Sequence, residues 1–141
     1  MKDTLQVGIK YQHRFTVSKS KTVPNLYSES EEFKIMPEVF ATGYLVGFLE
    51  WACILAIKPY LDWPSEQSVG THINVSHQAA TPSGLEVIAE VIANVELIKI
   101  EGKKLTFSVE ARDSQDVISK GTHERFVINK EKFNQKVNEK K

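Results

Sequence analysis

One segment dominates the hydrophobic pattern of this chain. Phe40 to Ile57 reads FATGYLVGFLEWACILAI, and apart from the weakly acidic Cys53 its single ionisable side chain at neutral pH is Glu50. A helix that is apolar on every side belongs in a protein core or in lipid. This run sits at the short limit for crossing a bilayer, holds a carboxylate, and ends at Lys58-Pro59 with no basic flank opposite, which favours the core. The helix is predicted to begin near Ala41 or Thr42, where the threonine hydroxyl can cap free N–H groups, and to stop by Pro59. Gly43 and Gly47 fall on one stripe of it, which lets another backbone or a ligand approach closely.

After a polar connector the periodicity changes to two. Gly70 to Ala80 places Ile73, Val75, His77 and Ala79 on one face and His72, Asn74, Ser76 and Gln78 on the other. Thr81-Pro82-Ser83-Gly84 is a turn signal, and Leu85 to Ile100 alternates again with many Val and Ile. A turn at Gly102-Lys103, a strand from Leu105 to Arg112, a turn at Asp113 to Asp116 and a strand from Val117 to Ile128 follow. The short connections predict an antiparallel meander of these strands. Gln6 to Val17 is predicted as an initial strand, and residues 129–141 as a polar terminal helix or tail.

The order is therefore a strand, a long buried helix, then a run of strands. A single antiparallel sheet can bury such a helix by wrapping around it, which is the α+β hot-dog arrangement. Sheet edges and one side of the helix stay uncovered, so a homodimer with its sites at the interface is predicted.

Composition narrows the function classes. A length of 141 residues with 41% apolar side chains suits one domain spanning 1–141. Lys plus Arg equal Asp plus Glu at 18 each, so no global field points to nucleic acid or to an anionic membrane, and neither is expected as a partner. Cys53 is the one cysteine, and the N-terminus lacks an export-type leader, so a reducing cytoplasm is expected. His72 and His77 lie five apart while His13 and His123 are distant in sequence, which is not metal-ligand spacing, and no metal is expected.

Three residues could carry chemistry, each with a plainer explanation beside it. Burial should raise the pKa of Glu50 unless a cation or donors compensate; alternatively it pairs with an arginine or sits at a seam between elements. His77, on an apolar strand face, is a proton carrier or a hydrogen-bonded core histidine. Thr42 is a site hydroxyl or a helix cap. His72 faces the other way, and an apolar surround keeps the Cys53 thiol protonated.

The stretches KTVPNLYSESEEF (Lys21 to Phe33), PEVFATGYLVGFLEWAC (Pro37 to Cys53), VGTHINVSHQAATPSGL (Val69 to Leu85), GTHERFVI and EKFNQKV resemble the fluoroacetyl-CoA thioesterase family of hot-dog proteins. The resemblance covers almost the whole chain and implies hydrolysis of a short-chain acyl-CoA, with coenzyme A a part of the substrate and no separate cofactor. It places the family's catalytic threonine, glutamate and histidine on Thr42, Glu50 and His77. It also implies substrate contacts at Gly70 and Arg125, coenzyme A contact at Val23 beside Lys21, and a lid at Phe33 and Met36. Members carry a second phenylalanine where this chain has Met36, so thioesterase chemistry is implied more strongly than fluoroacetyl selectivity. Arg125 could instead be a strand-surface charge paired with Glu124. A non-catalytic acyl-CoA-binding protein of the same fold is the alternative function; the histidine and aspartate motif of hydratases is not found.

Overall fold

The computed structural model describes residues 1–84 and 89–141. One antiparallel sheet is built from β1 (Lys10–Thr16), β2 (Glu66–Val75), β3 (Glu90–Glu101), β4 (Lys104–Arg112) and β5 (Val117–Asn129), in spatial order β1-β3-β4-β5-β2. Helices α1 (Glu31–Lys34), α2 (Thr42–Ile57) and α3 (Lys130–Asn138) accompany it. The first strand is shorter than its pattern suggested, and of the expected strand 85–100 residues 85–88 lie outside those described.

The hairpins between β3, β4 and β5 follow from their turn chemistry. Gly102 takes φ +63° between β3 and β4, a conformation that side chains with a Cβ rarely adopt. Between β4 and β5 the Asp113 carboxylate accepts the N–H groups of Gln115 at 2.9 Å and Asp116 at 2.7 Å, closing an Asx-type turn.

The expected meander fails at its first connection. Thr81 to Gly84 does not close a hairpin between β2 and β3; β2 lies on the far side of the sheet and pairs with β5, from Glu66 opposite Asn129 to Val75 opposite Gly121. The Thr81 hydroxyl donates to Asp113 at 2.8 Å, and its carbonyl takes the N–H of Phe40 at 2.8 Å, so the turn residues brace other segments. Gly121 permits the β2–β5 approach, because a Cβ there would run into the backbone of Asn74 and Val75. The strand also spans Glu66–Val75 rather than Gly70 to Ala80, although Ser76 and Gln78 still donate to the carbonyls of Lys120 and Ile118 at 2.9 and 2.8 Å.

Register explains which side chains meet the helix. Phe107, Val109, His123, Arg125 and Val127 are buried at alternating positions, and the pairings Gly70–Arg125 and Ile73–His123 put Gly70 and Ile73 on that same side. Gly70 and Ile73 differ in parity, and the irregularity between Gly70 and His72 is what puts both on one side of the sheet.

The sheet curls over α2, which buries Leu45, Phe48, Leu49, Ala52, Cys53, Ala56 and Ile57 against it. Truncating Leu49 to alanine there should cost about 2 to 5 kcal/mol. The opposite side of α2 presents Thr42, Gly43, Gly47 and Trp51 to solvent, with Glu50 half-buried among them. Thr42 does not cap the helix as its sequence position suggested: Ala41 occupies the cap position and no side chain caps it. Among the described residues no helix is long and apolar enough to cross a membrane.

Candidate active site

The entry into α2 is fixed by backbone pairing on both sides. Val23 donates to Val39 at 3.0 Å, Ala41 to Lys21 at 3.0 Å, and Phe40 to Thr81 at 2.8 Å. The segment after β2 is thereby held against the first turn of the helix. Thr42 Oγ1 and His77 Nδ1 lie 2.7 Å apart, which is where the hydroxyl goes instead of capping. His77 Nε2 is buried and meets no hydrogen-bond partner among the described residues. Burial holds the His77 pKa below its ordinary value, which favours the neutral ring.

Glu50 lies in a second cluster. Its Oε1 is 3.3 Å from Arg125 Nη1 and 3.8 Å from His123 Nε2. Arg125 is itself buried and is held by Ser68, Nε donating to the hydroxyl at 2.8 Å and Nη2 to the carbonyl at 2.9 Å. Gly70 closes the cluster from β2: a Cβ there would overlap Glu50 Oε1. Arg125 is therefore no strand-surface charge, and Glu124 pairs with Lys104 at 3.4 Å. The compensating cation that Glu50 needed is present. Cys53 follows expectation, since burial pushes its thiol up to about 12.

Within one chain the two clusters stay apart. Thr42 and Glu50 sit on the same helix at a spacing of about 12 Å along its axis and ~80° around it, given the α-helical rise and turn. No hydrogen bond or ion pair among the described residues joins Thr42 or His77 to Glu50, Arg125 or His123.

The remaining predicted residues lie near the helix entry. Val23 stands in a short turn beside Val39. Phe33 is in α1, whose cap Ser30 accepts the Phe33 N–H at 3.1 Å, and its ring stacks on Tyr27 at 6.0 Å. Ile35 and Met36 follow it, 87% and 48% exposed, an uncovered apolar segment on the way to α2.

His123 and Ser68 were not singled out from the sequence. The available signal was parity: His123 is two positions from Arg125 on an alternating strand and so shares its face.

A curled antiparallel sheet around one long helix, with polar clusters along the helix's uncovered side, defines the hot-dog class. A hot-dog-like protein from Thermanaerovibrio acidaminovorans shares this fold at 23% identity, with a TM-score of 0.78 over 96% of this chain and 93% of that one. The likeness becomes specific in the family of the fluoroacetyl-CoA-specific thioesterase, whose family model matches residues 17–131. The fluoroacetyl-CoA thioesterase of Streptantibioticus cattleyicolor is 52% identical over 140 residues, 99% of this chain and 97% of that protein. A solved structure of a fluoroacetyl-CoA thioesterase superposes with a TM-score of 0.92 at 51% identity, covering 99% of each chain. The chain belongs to this family, and with it to the acyl-CoA thioester hydrolases.

Proposed function

We propose that the protein hydrolyses short-chain acyl-CoA thioesters at sites shared by two copies of the chain, Thr42 and His77 coming from one copy and Glu50, Arg125 and Gly70 from the other. The observation that carries this reading is the separation of the two clusters along the uncovered side of α2. An antiparallel pair of such helices, related by a two-fold axis, sets the first turn of each opposite Glu50 of its partner. The edge strand β2 is exposed from Gly70 to Asn74, and its free backbone groups suit pairing with a second β2.

The chemistry follows from these groups. Glu50 attacks the thioester carbonyl, directly or through a water that it deprotonates. The departing thiol needs little protonation, so the work lies in placing the carbonyl and stabilising its oxyanion. First-turn N–H groups of α2, free of a capping side chain, serve the oxyanion, and the neutral His77 moves protons while Thr42 orients it. Val23 and Lys21 meet coenzyme A, and Phe33 with Met36 covers the acyl group. The cytoplasm, where acyl-CoA esters are used, is the proposed setting.

Free-thiol release from acetyl-CoA and propionyl-CoA tests the reading. Glu50→Gln is expected to lower kcat by about 10² to 10⁴ while coenzyme A still binds. Wild type and variant both inactive, with coenzyme A bound equally, would establish the non-catalytic binding alternative. A mixture of refolded Thr42→Ala and Glu50→Gln chains is expected to regain about a quarter of wild-type activity, the statistical share of intact shared sites in a two-fold dimer. No recovery would place each site within one chain.

A further inference from the structure

We infer that His123, in its neutral form with the proton on Nδ1, is a positioning residue that fixes both the Arg125 guanidinium and the β2 irregularity at Gly70 around the Glu50 carboxylate. The inference rests on the reading of Glu50 as the reacting carboxylate. It comes from counting donors. A guanidinium has five N–H groups and no acceptor. Arg125 Nε–H goes to Ser68 Oγ at 2.8 Å and one Nη2–H to the Ser68 carbonyl at 2.9 Å. Nη1 has two hydrogens and two neighbours, Glu50 Oε1 at 3.3 Å and His123 Nε2 at 3.0 Å. Since Nη1 can only donate, His123 Nε2 is the acceptor and carries no proton. Nδ1 then carries it and donates to the His72 carbonyl at 2.7 Å.

Both ring nitrogens are thus committed, and the side chain is 2% exposed. Each commitment ends on something that touches Glu50. Through Nε2 the ring settles the rotation of the guanidinium that meets Oε1. Through Nδ1 it holds the backbone of His72, at the end of the irregularity that turns Gly70 inward onto the same oxygen. Glu50 makes one long contact with Arg125 rather than a bidentate pair, so its position depends on how well that donor is held.

A second proton on His123 would set N–H against N–H. The groups around the ring oppose it on balance: burial and Arg125 hold its pKa below the ordinary value against the His72 carbonyl, Glu50 on α2 and Glu124 on β5. Cys53, the other titratable group of α2 here, has its thiol pushed up to about 12. The His72 side chain itself is exposed.

The test combines tautomer and kinetics on the full-length protein. Nitrogen NMR of wild type is expected to show His123 with Nδ1 protonated and Nε2 bare at pH 7, and still neutral at pH 6. A protonated Nε2 at pH 7 would overturn the inference without any variant. His123→Gln can return an acceptor near the Nε2 position, whereas His123→Asn returns only a donor near Nδ1. With circular dichroism and assembly unchanged, Asn is expected to lose about 10- to 100-fold in kcat with KM little altered, and Gln to recover most of it. Asn and Gln both at wild-type kcat would refute positioning, and so would a loss confined to KM. Glu50→Gln in parallel separates the two readings: if it retains full activity, the assignment of Glu50 has failed, whatever the His123 variants do.

Discussion

The carboxylate of Glu50 meets three groups of different kinds: a guanidinium, an imidazole edge and a bare backbone at Gly70. The last gives the sharpest test at the scale of one residue. Adding a single methyl in Gly70→Ala forces either the carboxylate or β2 to move, and misplacing a reacting group by about 1 Å can cost roughly 10²-fold in rate. Thiol-release kinetics should therefore show a large fall in kcat while the thermal midpoint moves little, because the atom that a Cβ displaces is the end of the Glu50 side chain rather than backbone. Cys53 gives a contrasting result. Its thiol, raised to about 12 by burial, should not react with an aromatic disulfide reagent at pH 8 until the protein is unfolded. Both outcomes show what was legible beforehand. A lone carboxylate in an apolar helix is conspicuous in a sequence, and so is a cysteine among apolar neighbours. The identity of the partner cation is not, since Arg125 and Glu50 are joined only by the fold.

Elements were legible where local chemistry decides them. The apolar run fixed α2, ending at Ile57 before Pro59, and the Asp113 and Gly102 turns fixed the β3-β4-β5 hairpins. The place of β2 was not, because a short turn-rich connection reads as a hairpin while the choice of β5 as partner depends on Gly121 and on groups far along the chain. The proposed lid is a matter of element rather than fold. Phe33 is anchored by its stack on Tyr27, while Met36 follows on an exposed segment. In the proposed lid a flexible methionine would cover the acyl group less rigidly than an aromatic ring. Met36→Phe is expected to raise the ratio of kcat/KM for fluoroacetyl-CoA over acetyl-CoA by roughly 10- to 200-fold at most, the range that one apolar shape change supplies. An unchanged ratio would mean that selectivity lies outside the lid.

At the scale of the whole molecule, three histidines enter the folded state with depressed pKa values. His13, beneath Trp51 at 4.1 Å, His77 and His123 are all held below the ordinary 6.5 chiefly by burial. As pH falls past about 6.5 the unfolded chain takes up protons that the folded chain refuses, so stability is full above that pH and declines below it. Each histidine adds a slope of at most about 1.4 kcal/mol per pH unit, and less for His13 and His77, which keep some solvent. Thermal midpoints are expected to be level between pH 8 and 7 and to fall steadily from 6.5 toward 5. His123→Gln removes one of these proton acceptors, and its midpoint should fall less steeply than that of wild type. Equal slopes for the two proteins would mean that His123 titrates alike in the folded and unfolded chains, contrary to its two committed nitrogens.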